Sequence, residues 1–184
     1  MYNYRKRFFY PIHVERSDPN LAKLLLEHYG GKDGELTQVL QYLNHQSNMS
    51  NRVLRELLGL IAAEELAHLE TLATVIGKLS GEAISYVSSD GLPWNIDYVN
   101  QNMDPATMLK ADIALEIRSR VLFEKQMSQT ADPGVKRLLG FLARREGIHQ
   151  NLLKRSHKTL TEGGSPEQYM EIIYDYKMSL QVLD

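Results

Sequence analysis

Apolar positions recur at helical spacing along most of this chain. Between residues 53 and 75 they fall at Val53, Leu57, Leu60, Ile61, Leu66, Leu69, Leu72 and Val75. That is the one-sided stripe of an amphipathic helix. The spacing predicts a long helix that starts after Ser50-Asn51 and ends before Ser80-Gly81. Upstream, Ser17-Asp18-Pro19 supplies a cap-type residue and a proline for a first turn. A short helix should follow through LAKLLLEHY and stop at Gly30-Gly31. A first long helix is expected from about Asp33 to Gln46.

The second half repeats the design. Asp104-Pro105 opens a helix running to about Thr130, and Asp132-Pro133 opens another to about Leu160. Gly163-Gly164 ends the latter, and a last short helix spans Pro166 to about Leu180. Residues 1–16 read as an extended, aromatic-rich arm in which Pro11 opposes helix. Residues 81–104 form a long loop holding Gly91, Pro93 and the single tryptophan, Trp94. No strand alternation of useful length appears. Four long helices, with short turns inside each pair and a long crossover between the second and third, describe an all-α, ferritin-like four-helix bundle. The 184 residues suit a single domain, 1–184.

Composition narrows the chemistry. The net charge is −2, so there is no basic footprint for nucleic acid. No apolar run reaches the length of a membrane span. The start, MYNYRKRFFYPIHVE, lacks the apolar core of a signal peptide. There is no cysteine, so thiolate metal sites, Fe–S clusters and cysteine nucleophiles are excluded. A metal here must be held by oxygen and imidazole.

The chain contains two Glu-x-x-His sequences, Glu65–His68 and Glu146–His149, each on a long helix. Residues three apart share a helix face, so each Glu and His can reach one ion. Each pair has a glutamate thirty positions upstream, Glu35 and Glu116. The two triplets are therefore offset by one common value, 81 residues. One Glu from each of two helices and a Glu-x-x-His from each of the others is the ligand pattern of di-iron and di-manganese carboxylate bundles. Carboxylates offset the mutual repulsion of two divalent cations and can bridge them. Hard oxygen with imidazole suits manganese and iron. Glu64 lies four residues before His68 and competes with Glu65; Arg145 occupies the matching position of the second half, which favours Glu65. Glu27, Glu56, Glu70 and Glu124 read as surface charges, and His28, His45 and His157 as non-ligands. Tyr42 lies two turns after Glu35 on the same face, as a core aromatic or as a hydrogen-bond partner of the site.

Five stretches carry a family resemblance: PNLAKLLLEHYGGKDGEL at 19–36, QYLNH at 41–45, AAEELAHLETLATVI at 62–76, ALEIRSR at 114–120 and DPGVKRLLGFLARREGIHQN at 132–151. Together they resemble the manganese catalases, and specifically the short manganese-catalase-like proteins of bacterial spore coats. The resemblance implies that Glu35, Glu65, His68, Glu116 and His149 ligate two manganese ions, with Glu65 bridging. It implies that Glu146 sits just outside the ligands, near a bound water, and moves protons, and that Tyr42 bonds a ligand carboxylate. It implies disproportionation of hydrogen peroxide to oxygen and water, and a homo-oligomer, most commonly a hexamer. The long C-terminal extension of the larger members is missing here. The implied location is the cytoplasm or the spore coat, with other coat proteins as partners. The ligand set alone also accommodates iron, in a peroxidase or ferroxidase, and a structural coat protein with a weakly active site.

Overall fold

In the computed structural model, residues 10–181 are described. Six α-helices follow in order: α1 (Pro19–Gly30), α2 (Glu35–Asn48), α3 (Arg52–Ser80), α4 (Pro105–Gln129), α5 (Pro133–Thr161) and α6 (Pro166–Ser179). Helices α2 to α5 are the four long elements expected from the periodicity, and α1 and α6 are the two short ones. The first long helix starts and ends two residues later than Asp33 and Gln46. Among the described residues there is no named strand, only an isolated bridge between Val87 and Pro93. Of the expected arm, residues 1–9 lie outside the described residues, and 10–16 run without helix.

The starts are fixed by capping. Asp18, Asn51, Asp104 and Asp132 each accept from backbone N–H groups of the first turn, and proline occupies the first turn of α1, α4 and α5. Asp132 serves twice: Oδ1 caps α5, while Oδ2 accepts from the Glu15 N–H at 2.7 Å and ties the arm to the helix. Tyr10 stacks on Phe141 at 4.8 Å along the same contact.

Two apolar clusters fill the bundle. One gathers Leu25 of α1, Leu72 and Val75 of α3, and Phe123, Leu139 and Leu142. The other gathers Tyr42 of α2, Leu58 and Ile61 of α3, and Met108, Leu153 and Ile172. Along α3 the sequence passes from one cluster to the other between Ala62 and Leu69; along α4, between Leu109 and Phe123; along α5, between Ala143 and Leu152. The three motif segments occupy these gaps. A polar layer is thus sandwiched between two dry halves of one core.

The crossover packs rather than dangles. Ser89 donates through its N–H and hydroxyl to Glu27 Oε2, at 3.1 and 2.8 Å. Glu27 is half-buried, which corrects its reading as a solvated charge. Trp94 Nε1 donates to the Thr37 hydroxyl at 2.9 Å, at the start of α2. The loop presses so closely on α1 that a Cβ at Gly30 would sit 2.5 Å from the Val87 nitrogen. Gly30→Ala should therefore cost about 1–3 kcal/mol of overpacking, read as a lower urea midpoint at unchanged slope.

Candidate metal centre

Burial selects the site. Glu35, Glu65, Glu116, Glu146 and His149 are fully buried, and His68 is 2% exposed. Unpaired, four buried carboxylates would each carry a large desolvation cost. Their ligand atoms form two overlapping groups, Glu35–Glu65–His68–Glu146 and Glu65–Glu116–Glu146–His149, in each of which all atoms lie within 4.8 Å of one another. All six sequence-predicted residues on the 81-residue offset therefore converge. Glu65 and Glu146 belong to both groups.

Glu65 stands at the centre. Its Oε2 is 2.7 Å from His68 Nδ1, and its Oε1 is 2.6 Å from His149 Nδ1. One carboxylate thus directs one oxygen at each half of the site. Burial alone would raise its carboxyl, but the two imidazoles hold it well below the usual range. Glu35 and Glu146 behave oppositely. Burial, then the charges of neighbouring carboxylates, pushes both well above the ordinary value. Burial also raises Glu116, partly opposed by His149. Burial would lower His68, but Glu65 and Glu64 bring it up to about 9. With protein groups alone, the layer balances its charge by keeping protons. Divalent cations would take the place of those protons.

The donor set fits such cations. Glu35 Oε1, Glu116 Oε2 and Glu146 Oε1 are buried acceptors without a hydrogen-bond partner among the described residues. Unpartnered buried oxygens are rare and need an explanation. Their other oxygens are held: the Tyr42 hydroxyl donates to Glu116 Oε1, and Gln38 Nε2 lies 3.5 Å from Glu35 Oε2 and 3.4 Å from Glu146 Oε2. Each carboxylate is oriented by one oxygen and presents the other. Tyr42 is fully buried and bonded to the site, which joins the two readings of it as core aromatic and as partner.

Glu64, the competitor of Glu65 in the sequence, lies outside both groups. It lies behind the imidazoles, with Oε2 at 3.0 Å from His149 Nε2 and Oε1 at 3.6 Å from His68 Nε2. Both rings thus turn Nδ1 inward and Nε2 toward one shared carboxylate. A carboxylate behind a ligand imidazole fixes its orientation and raises its basicity. Arg145 clasps Glu64 with Nε at 2.5 Å and Nη2 at 3.1 Å, and Tyr176 of α6 donates to it at 3.0 Å. Arg145 also donates to the Ser179 carbonyl and hydroxyl, pinning the end of α6.

Gln38, Ser119, Glu64 and Arg145 were not identified as site residues from the sequence. A signal was present. Gln38 donates to Ser119 at 3.1 Å, and both this pair and Glu64–Arg145 are separated by 81 residues. Positions matched by the offset face each other across the centre. His28 and His45 belong to neither group.

Comparison with known proteins identifies the family. The family model for manganese containing catalase matches residues 1–86 and 79–174. This chain belongs to that family. Protein CotJC of Bacillus subtilis (strain 168) is 34% identical over 88% of the chain and 96% of the relative. A probable manganese catalase of Clostridium acetobutylicum is 31% identical over 86% of the chain and 79% of the relative. Among solved structures, the manganese catalase KatB from Anabaena superposes with a TM-score of 0.84 at 27% identity, covering 90% of this chain and 84% of that one. Membership makes manganese the metal of the family to which this all-helical chain belongs.

Deleting the Glu64 carboxylate strands a buried guanidinium. Glu64→Ala should cost about 3–5 kcal/mol, whereas Glu56→Ala, in an exposed pair with Lys177, should cost about 0–1 kcal/mol. Urea unfolding of the two metal-free variants checks the difference.

Proposed function

We propose that this chain is a dimanganese catalase that converts two hydrogen peroxide molecules into one oxygen and two waters. The observation that carries the reading is Glu65, whose two oxygens are aimed one at each histidine half of a buried carboxylate layer. In this reading Glu35, Glu65 and His68 hold one ion, and Glu65, Glu116 and His149 hold the other. When bound, manganese supplies the electron exchange by cycling between divalent and trivalent states. The protein residues fix geometry and handle protons.

Glu146 is the proton carrier closest to that chemistry. Gln38 restrains one of its oxygens, and the other has no hydrogen-bond partner among the described residues. Burial and the charges of neighbouring carboxylates favour its protonated form, the form from which a carboxyl gives a proton. Tyr42 holds Glu116 by donating to it. The absence of cysteine removes an easily oxidised side chain from a protein that meets peroxide.

We further infer a homo-oligomer, with a hexamer as the assembly expected of the family, and a location in the cytoplasm or spore coat. Support for the coat comes from the resemblance to the short spore-coat form and from the match in extent with protein CotJC. No helix among the described residues is long and apolar enough to cross a membrane. The charge gives no support for a nucleic-acid partner.

Metal analysis and oxygen release on one preparation test the function. About two manganese ions per chain and oxygen evolution from peroxide are expected; iron with ferroxidase activity and no oxygen release defeats the reading. Glu65→Ala should empty the site. Glu146→Gln should keep the metal and lose about 10²–10⁴-fold in turnover, since an amide cannot return a proton. If Glu146→Gln empties the site instead, Glu146 is a ligand and the centre is a symmetric carboxylate pair.

A further inference from the structure

A second buried acid–base pair lies beside the centre and has no part in the reading above. Asp112 of α4 and His45 of α2 are both fully buried, with Asp112 Oδ1 at 2.8 Å from His45 Nδ1. Gln41 Nε2 donates to the same oxygen at 2.8 Å. Asp112 Oδ2 is buried without a hydrogen-bond partner among the described residues. A buried carboxylate needs a reason, and one packing role would be met as well by an amide.

Its position supplies the reason. Asp112 sits one helical turn before Glu116, and His45 one turn after Tyr42, whose hydroxyl bonds Glu116. The charge of Asp112 is felt at the Tyr42 hydroxyl. On its outer side the pair meets the crossover: His45 Nε2 lies 3.3 Å from Asn100 Oδ1, and the Asn100 N–H donates to Gln41 at 2.9 Å. Gln41 and Asn100 line a cleft open to solvent. The pair therefore spans the wall between Tyr42–Glu116 and the surface.

The two half-reactions pass protons from one to the other, so the centre uses groups that take protons up and give them back. Oxidising one peroxide to oxygen releases two protons with two electrons. Reducing the other to two waters consumes two of each. Glu146 can carry one proton at a time, and Glu65 and Glu116 are committed to the ions. This need rests on the catalase reading.

We propose that the Asp112–His45 pair is a second proton relay of the centre, running from the Tyr42–Glu116 hydrogen bond to the cleft floored by Gln41 and Asn100. A proton leaving the centre passes through one water to Asp112 Oδ2. With the pair starting as an Asp112 carboxyl protonated on Oδ1 and a neutral His45 protonated on Nε2, arrival of a proton at Oδ2 lets Oδ1 pass its proton to His45 Nδ1 while Nε2 releases one to water in the cleft; a proton entering at Nε2 reverses each transfer and restores the starting state. No electrons move in these steps, and the pair carries the same net charge before and after each passage. The groups around the pair are Tyr42 on α2, Glu116 and Arg118 on α4, and Asp97 and Tyr98 on the crossover; Arg118 is paired with Asp33. Burial would lower the His45 imidazole, but its bond to Asp112 raises it, and burial raises Asp112, so a proton is well held between them.

The test uses Asp112→Asn and His45→Gln, which keep size and hydrogen bonding but cannot pass a proton. Both should bind as much manganese as the parent protein, lose about 10²-fold in turnover, and show a larger solvent deuterium isotope effect. Added imidazole should restore turnover to His45→Gly and leave the parent protein unchanged. A readout without turnover comes from ¹⁵N-histidine NMR of the metal-free protein. There the pKa of His45 should fall by about 1–3 units in Asp112→Asn. Full turnover with an unchanged isotope effect in both variants overturns the relay. So does loss of metal or unfolding in both, which makes the pair structural, and so does a His45 titration indifferent to Asp112→Asn. A parent protein that holds manganese but releases no oxygen defeats the catalase reading itself, on which the relay stands.

Discussion

Everything in this bundle depends on keeping four carboxylates out of water in one layer. Glu35, Glu65, Glu116 and Glu146 have no exposure at all. Like charges so placed cannot all ionise without compensating cations, and the free energy of burying them unpaired would exceed the margin of an ordinary fold. Protons and two imidazoles can balance the layer in part, and divalent cations would complete it. The apolar clusters on either side serve this constraint. They exclude water, so every electrostatic contact in the layer is stronger than it would be at a surface.

A hierarchy of supports follows from the same constraint. The innermost groups turn one oxygen or nitrogen inward. Behind them, Tyr42 and Gln38 restrain carboxylates, and Glu64 faces the outer nitrogens of both histidines. Behind Glu64, Arg145 grips the carboxylate and the end of α6 together. The last helix is thus wired to the centre by three bonds in series. This short helix packs against the histidine side of the centre. Tyr176 of that helix stacks on His149, with ring centroids 6.4 Å apart.

The two halves of the chain are not equivalent, although the 81-residue offset relates them. Glu35 matches Glu116, and Glu65 matches Glu146, yet the partners differ. Glu65 sits between two imidazoles and is held ionised, while Glu146 sits among carboxylates and favours its protonated form. Where the offset places Glu64 against Arg145, one position supplies charge and the other neutralises it. Quasi-symmetry brings the six residues together, and its breaking gives Glu65 and Glu146 opposite electrostatic surroundings.

Much of this was legible in the sequence. Caps and prolines mark where α1, α3, α4 and α5 begin because those signals act within one turn. The ligand frame could be read because residues three apart share a helix face and because the offset repeats it. The crossover could be placed but not its grip on Glu27 and Thr37. Periodicity likewise told which side of a helix faces inward, but not what the opposite helix presents there. Thus Glu64 could be weighed as a ligand, yet its grip by Arg145 and its place behind both imidazoles required the packing of α3 against α5 and α6. Asp112 and His45 looked like unrelated residues 67 positions apart until α2 and α4 brought them to 2.8 Å. Local geometry is set by short-range sterics and hydrogen bonds, which a sequence carries. Which buried charge meets which partner depends on the relative rotation of whole helices, and only the folded core fixes that.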